Sequence, residues 1–349
     1  MDDAGATLRS AGVKAIYLAH GTFVGPDALG VLGELARLYP SAGLAVRRVI
    51  RRVFEELRGD GGTFTESYAQ AFESAIHRAG QREIPVELFH WSGENHHIGR
   101  ADGAVRLIHE LSSLECEPGE RILLWGHSHA GNVFALATNL LARDLDTVER
   151  FFDAAGIYYR LPVFGWIDIP LWNRVRDMLL RGDAAVANLQ LDFVTFGTPI
   201  RYGWDSAGYA SLLHFIHRRC ADGPECRAGF PVRLDSVLGA EEGDYVQQLA
   251  IAGTNVVPSL FAWRAYLADR RLHALLETDG PPSESLDRFR AGTIVPDEGT
   301  TLLVDYGCPE GGIGEHLAGH AVYTGKQWLL FHAQEVARRL YVARACKAA

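Results

Sequence analysis

The sequence predicts an α/β protein built on a mostly parallel central sheet with helices on both faces. Short apolar runs rich in strand-forming residues alternate with longer segments of helical periodicity, the pattern of parallel strands joined by crossover helices. Most of these runs end in Gly, Ser, Thr or His, as strands do when their carboxyl ends open onto a ligand site. A length of 349 residues, 48% hydrophobic and 22% charged, is enough to bury a large core.

Five runs read as strands: VKAIYLAHGT (13–22), IPVELFHWSG (84–93), RILLWGHS (121–128), LQLDFVTFGTP (189–199) and TTLLVDYG (300–307). YVQQLAIAGT (245–254) is a sixth, less clean candidate. Helical spacing marks 103–115, 130–143 and 327–345. The stretches 144–186 and 200–243 are too long for simple crossovers and read as cap or lid insertions in a single domain covering 1–349. The first contains FFDAAGIYYRLPVFGWIDIPLW, whose aromatics fit a buried cap better than a lid or an interfacial patch.

The net charge of −9 argues against a nucleic-acid partner, because a phosphate-binding surface needs clustered cations. The exception, Arg47, Arg48, Arg51 and Arg52, has the spacing of one solvated helix face. Five scattered cysteines suit a reducing compartment, although Cys220 and Cys226 are near enough in sequence to bridge. The opening MDDAGATLRSAG is acidic where a signal peptide is basic, and no apolar run is long enough for a membrane span. The expectation is a cytoplasmic protein with no stable membrane insertion. Neither a dinucleotide fingerprint nor a Walker motif occurs, so no organic cofactor is expected. His96 and His97 have no partner at ligand spacing, so no metal is expected.

In RILLWGHSHAGNVFALA a strand pattern runs through Gly126-His127-Ser128-His129-Ala130-Gly131 directly into a helical pattern. A nucleophile on so sharp a turn sits at a strained backbone angle and needs small neighbours, which Gly126 and Ala130 provide. Here the chain resembles the α/β-hydrolase family, in particular its lipase- and esterase-like members, whose elbow reads Gly-x-Ser-x-Gly; Ala130 departs from that pattern.

The resemblance makes Ser128 the nucleophile and His20-Gly21-Thr22 the turn that helps form the oxyanion hole. Its donors would be the amides of Thr22 and His129, with the Thr22 hydroxyl as a third. Gly319-His320, after the last strand candidate and before the last helix, supplies the general base, with His316 its competitor. Asn255 occupies the slot where the family places its acid, so the third member is open between Asp305, Asp205 and Asn255, with Asp305 preferred for its position at the end of TTLLVDYG. FGTPIRYGWD is similar to the Gly-Thr-Pro loop of lipases, bringing Thr198, Arg201 and Tyr202 toward the ligand. FHWSGENHHIGR collects Trp91, Ser92, Glu94, Asn95, His96, His97 and Arg100 in a loop near the substrate.

The expected activity is hydrolysis of a carboxylic ester through an acyl-enzyme on Ser128. An acyltransferase or thioesterase would use the same residues, and the amide at Asn255 motivates a non-catalytic, hydrolase-like binding protein as the alternative from another class.

Overall fold

The structure, a computed structural model, describes residues 4–22, 62–142, 144–160, 169–219, 234–248, 255, 258, 262–276, 299–309 and 316–342. Among these residues six parallel strands form one sheet: β1 Val13–Ala19, β2 Val86–Phe89, β3 Arg121–His127, β4 Gln190–Phe196, β5 Ser211–His217 and β6 Thr300–Val304, in the order β2-β1-β3-β4-β5-β6. The longer helices are α1 Ala4–Ser10, α2 Glu66–Ile76, α3 His97–Ser112, α4 Ala130–Leu141, α5 Leu145–Ala154, α6 Pro170–Arg181, α7 Trp263–Leu276 and α8 Leu329–Val336. None of the described helices is long and apolar enough to cross a membrane.

Strand periodicity divides the core in two. Tyr17, Leu124 and Phe193 point to one face, where α3, α4, α5, α6 and α7 cover them. Ile16, Leu18, Leu123, Trp125, Val194 and Phe196 point to the other, under α1, α2 and α8. Because both faces are covered, β5 is buried along its whole length, as interior strands of parallel sheets are.

Two boundaries differ from the sequence expectation for local reasons. Helix α3 begins six residues before the expected 103, because the His96 ring caps it, Nδ1 accepting the Gly99 N–H at 2.9 Å. Histidine is not among the usual capping residues. His97 and Arg100 therefore stand on the first helical turn rather than in a loop. The 245–254 strand candidate is corrected at its start, where Tyr245–Gln248 is a helical turn; 249–254 lie outside the described residues.

The insertions are likewise partly corrected. The 200–243 stretch contains the interior strand β5. In 144–186, Phe151, Phe152, Tyr159 and Trp172 are buried, with Tyr159 and Trp172 stacked at 5.0 Å and the Trp172 indole donating to Asp102. That burial agrees with a packed segment for these residues. Residues 161–168 and 220–233, the basic run at Arg47 to Arg52, and Cys220, Cys226 and Cys346 lie outside the described residues.

From β1 the chain moves outward to β2 and then returns to β3 on the other side of β1. The strand order reverses between β1 and β3, so the loops leaving their carboxyl ends border the crevice where open α/β sheets bind ligands. Those loops are His20-Gly21-Thr22 and Ser128-His129.

Candidate functional site

Ser128 stands between β3 and α4 at φ 55°, a left-handed conformation that crowds any side chain. The turn is held on both sides. The Ser128 N–H donates to Phe196 O at 2.8 Å, while its carbonyl accepts from Gly131 N–H at 3.1 Å and from the Thr198 hydroxyl at 2.8 Å. A side chain at Gly126 would run into Phe134, and one at Gly131 into Thr198, so the small residues flanking Ser128 are sterically required. His129 is the N-cap of α4, whose first N–H groups have no partner within the helix and whose dipole favours negative charge.

The turn after β1 lies against this serine. A Cβ on Gly21 would fall 2.6 Å from the Ser128 Cβ. Trp91 fixes the turn by donating its indole N–H to His20 O at 2.7 Å and stacking on the His20 ring at 5.8 Å. The buried Thr22 hydroxyl has no hydrogen-bond partner.

His320 reaches the same place from the far end of the chain. The His127 Nε2–H donates to His320 O at 3.0 Å, and the two rings are 4.6 Å apart. Burial, and after it the neighbouring His320, pushes the His127 pKa down to about 3, so this imidazole is a neutral donor. The loop bearing His320 is wound through three successive left-handed residues, Leu317, Ala318 and Gly319, with φ of 48°, 54° and 87°. It is tied down where Tyr245 N–H donates to Ala318 O at 3.0 Å, and a side chain at Gly319 would collide with Gly243 O.

The carboxylate beside His320 is Asp244. Its Oδ2 accepts from His320 Nδ1 at 2.8 Å and from the Tyr323 hydroxyl at 2.9 Å, and its Oδ1 accepts from Gln247 N–H at 2.9 Å. Burial opposes the charged form, but His320 and these hydrogen bonds outweigh it and hold the carboxyl below the usual aspartate range. Tyr323 in turn accepts from the His217 N–H at 2.8 Å, linking Asp244 to the end of β5. Asp244 N–H donates to His217 O at 3.1 Å. With Nδ1 engaged by a carboxylate, the opposite nitrogen of His320 is the one able to take a proton; Nε2 is buried and has no hydrogen-bond partner.

The three candidates that the sequence offered for the third member are engaged elsewhere. Asp305, the preferred candidate, is exposed, pairs with Arg219 at 3.2 Å and accepts from Gly307 N–H at 2.8 Å. Asp205 caps the turn at Ser206–Gly208 through Ala207 N–H. Asn255 accepts from Arg100 Nη2 at 2.7 Å and donates to Asp269 at 3.0 Å. His316 accepts from Gly319 N–H at 3.3 Å within its own loop, which leaves His320 as the histidine against the carboxylate.

A second polar cluster adjoins the serine turn. Arg100, fully buried, donates Nε to the Tyr202 hydroxyl at 2.8 Å and Nη1 to Asn95 at 2.9 Å. The Tyr202 hydroxyl also meets His97 Nδ1 at 2.8 Å. Asn132, on the first turn of α4, joins this side to His129 and to the loop bearing Thr198 and Arg201. The two loops expected to approach the ligand thus meet one another beside Ser128.

Comparison of the chain with protein-family models, with curated proteins and with solved structures found no match.

Proposed function

We propose that this protein is a serine hydrolase of the α/β-hydrolase fold that cleaves a carboxylic ester through an acyl-enzyme on Ser128. One observation carries the reading: His320 has Nδ1 on the buried carboxylate of Asp244 and Nε2 without a partner, in a loop bonded to the residue preceding a strained serine. A hydroxyl becomes a good nucleophile when a neighbouring imidazole takes its proton, and a carboxylate behind that imidazole stabilises the cation that results.

In this reading Ser128 Oγ attacks the ester carbonyl carbon and its proton passes to His320 Nε2. The oxyanion that forms is held by the N–H groups of His129 and Thr22, at the positive end of α4. His320 then returns the proton to the departing alcohol oxygen, and the C–O bond of the ester breaks. A water, deprotonated by the same imidazole, releases the acid and restores Ser128. Asp244 replaces Asp305 as the third member of the set, and a carboxylate in that position counts against a non-catalytic reading.

A fluorophosphonate probe tests this directly. The wild-type chain is expected to label covalently and to hydrolyse a short p-nitrophenyl ester, and Ser128→Ala to do neither; equal labelling of the two overturns the proposal.

A further inference from the structure

The side chain of His129 has a fixed proton and no acceptor for it. Asn132 Oδ1 accepts the Arg201 backbone N–H at 2.8 Å, and Asn132 Nδ2 donates to Pro199 O at 2.9 Å. A backbone N–H only donates and a carbonyl only accepts, so the orientation of this amide is determined. Its second Nδ2 hydrogen therefore points to His129 Nδ1 at 3.1 Å, which must accept. Burial first, then Arg100 and Arg201, hold the His129 pKa well below its ordinary value, so the ring is neutral. A neutral imidazole accepting at Nδ1 carries its hydrogen on Nε2. That nitrogen is fully buried and has no hydrogen-bond partner. Native proteins leave few such donors unmatched, and a bound acceptor is one of the ways in which such a donor is satisfied.

The surroundings say what kind of acceptor fits. Arg100 gives its three hydrogen bonds to neutral oxygens, those of Tyr202, Asn95 and Asn255. Asp269 accepts from Ile98 N–H and Asn255 Nδ2, so it meets Arg100 only through the amide of Asn255. Arg201, like Arg100, bonds the Tyr202 hydroxyl and acts on the His129 ring, with Asp269 the carboxylate that faces Arg201. Two cations against the single carboxylate of Asp269 disfavour an imidazolium and leave a positive balance that favours an anion.

We propose that His129 Nε2–H, with Arg100 and Arg201 beside it, forms a subsite for a carboxylate on the acyl part of the substrate. This rests on the serine-hydrolase reading. The ring belongs to the residue whose N–H holds the ester carbonyl oxygen, so the anion it reaches is a few bonds from the scissile carbon, as in the half-ester of a short dicarboxylic acid.

The test compares monoethyl succinate with its neutral isostere ethyl 4-methylpentanoate by pH-stat. The wild-type chain is expected to favour the succinate half-ester by about 100-fold in kcat/KM, because a site built to hydrogen-bond a group discriminates against the analogue lacking it. That ratio is expected to fall about tenfold or more in His129→Phe and in Arg201→Gln. The ratio is the readout, since damage to the oxyanion hole lowers both esters together. If His129→Phe does not fold, Arg201→Gln, a half-buried side chain, carries the test. Equal use of the two esters by wild type, an unchanged ratio in the folded variants, or no turnover of the half-ester by a chain whose Ser128 labels with fluorophosphonate each overturn the subsite while leaving the hydrolase reading intact. Loss of labelling at Ser128 is the separate result that overturns the hydrolase reading itself.

Discussion

Asp244 Oδ2 and His320 Nδ1 meet at 2.8 Å from positions 76 residues apart, and both are buried. Asp244→Asn keeps the shape but removes the charge that stabilises a protonated His320. Activity on a p-nitrophenyl ester is expected to fall about 10³- to 10⁴-fold in kcat. Asp305→Asn, an exposed change, is expected to leave kcat near wild type. The reverse ranking would reassign the acid.

Tyr323→Phe removes one donor to Asp244 and the acceptor of the His217 N–H. A loss of about 1–3 kcal/mol in unfolding free energy is expected, measured by urea denaturation at neutral pH. Asp244 has a depressed pKa, so its contribution is present above the ordinary value of 3.8 and lost as pH falls through the lower folded value. With fewer donors to the carboxylate that contribution shrinks. A Tyr323→Phe variant as stable as wild type would remove this residue from the support of Asp244.

His97, His127, His129 and His332 are buried, and burial is the leading cause that lowers all four pKa values, to about 2 for His97 and about 3 for His127 and His332. The unfolded chain protonates these rings near 6.5, whereas the folded chain keeps them neutral. Their contribution to stability is therefore complete above pH 6.5 and lost as pH falls toward the folded values. Each ring gives a slope of about 1.4 kcal/mol per pH unit, together about 5–6, against a total stability of about 5–15 kcal/mol. Acid unfolding followed by circular dichroism is expected between about pH 6 and 4. A transition only below the carboxylate range would contradict it.

Ser128 at φ 55° stores conformational strain. Ser128→Gly is expected to be about 1 kcal/mol more stable than Ser128→Ala in denaturant titration, since both lack the hydroxyl and only one relieves the angle. Equal stabilities would mean the turn is relaxed.

Much of the sheet was legible because β1, β3 and β4 are mostly apolar, broken within by no more than a Lys, an Asp and a Thr, and lead into turn residues. β5 was not, since SLLHFIH breaks its run with His214 and His217, which are buried here and hydrogen-bonded. The slot at Asn255 follows from reading 245–254 as the strand before the last, whereas Tyr245–Gln248 is helical and β5 is the strand that precedes β6. Asp244 follows β5 by way of the bridge between Arg218 and Gly243, a contact between distant residues that no local pattern announces. The serine turn was readable from local sterics. The start of α3 was hidden by a histidine cap.

The close approach of Gly319 to the Gly243 carbonyl joins two glycines that each precede a member of the proposed catalytic set. Gly319 can gain a side chain only if the Gly243 carbonyl retreats, and Gly243 only if the His217 carbonyl does, and either retreat would shift Asp244 against His320. Among descendants of this chain the two sites are thus expected to drift in concert, and segments 243–244 and 319–320 to be inherited as a single unit. Recombination that brings in one without the other would yield folded proteins with a disabled base.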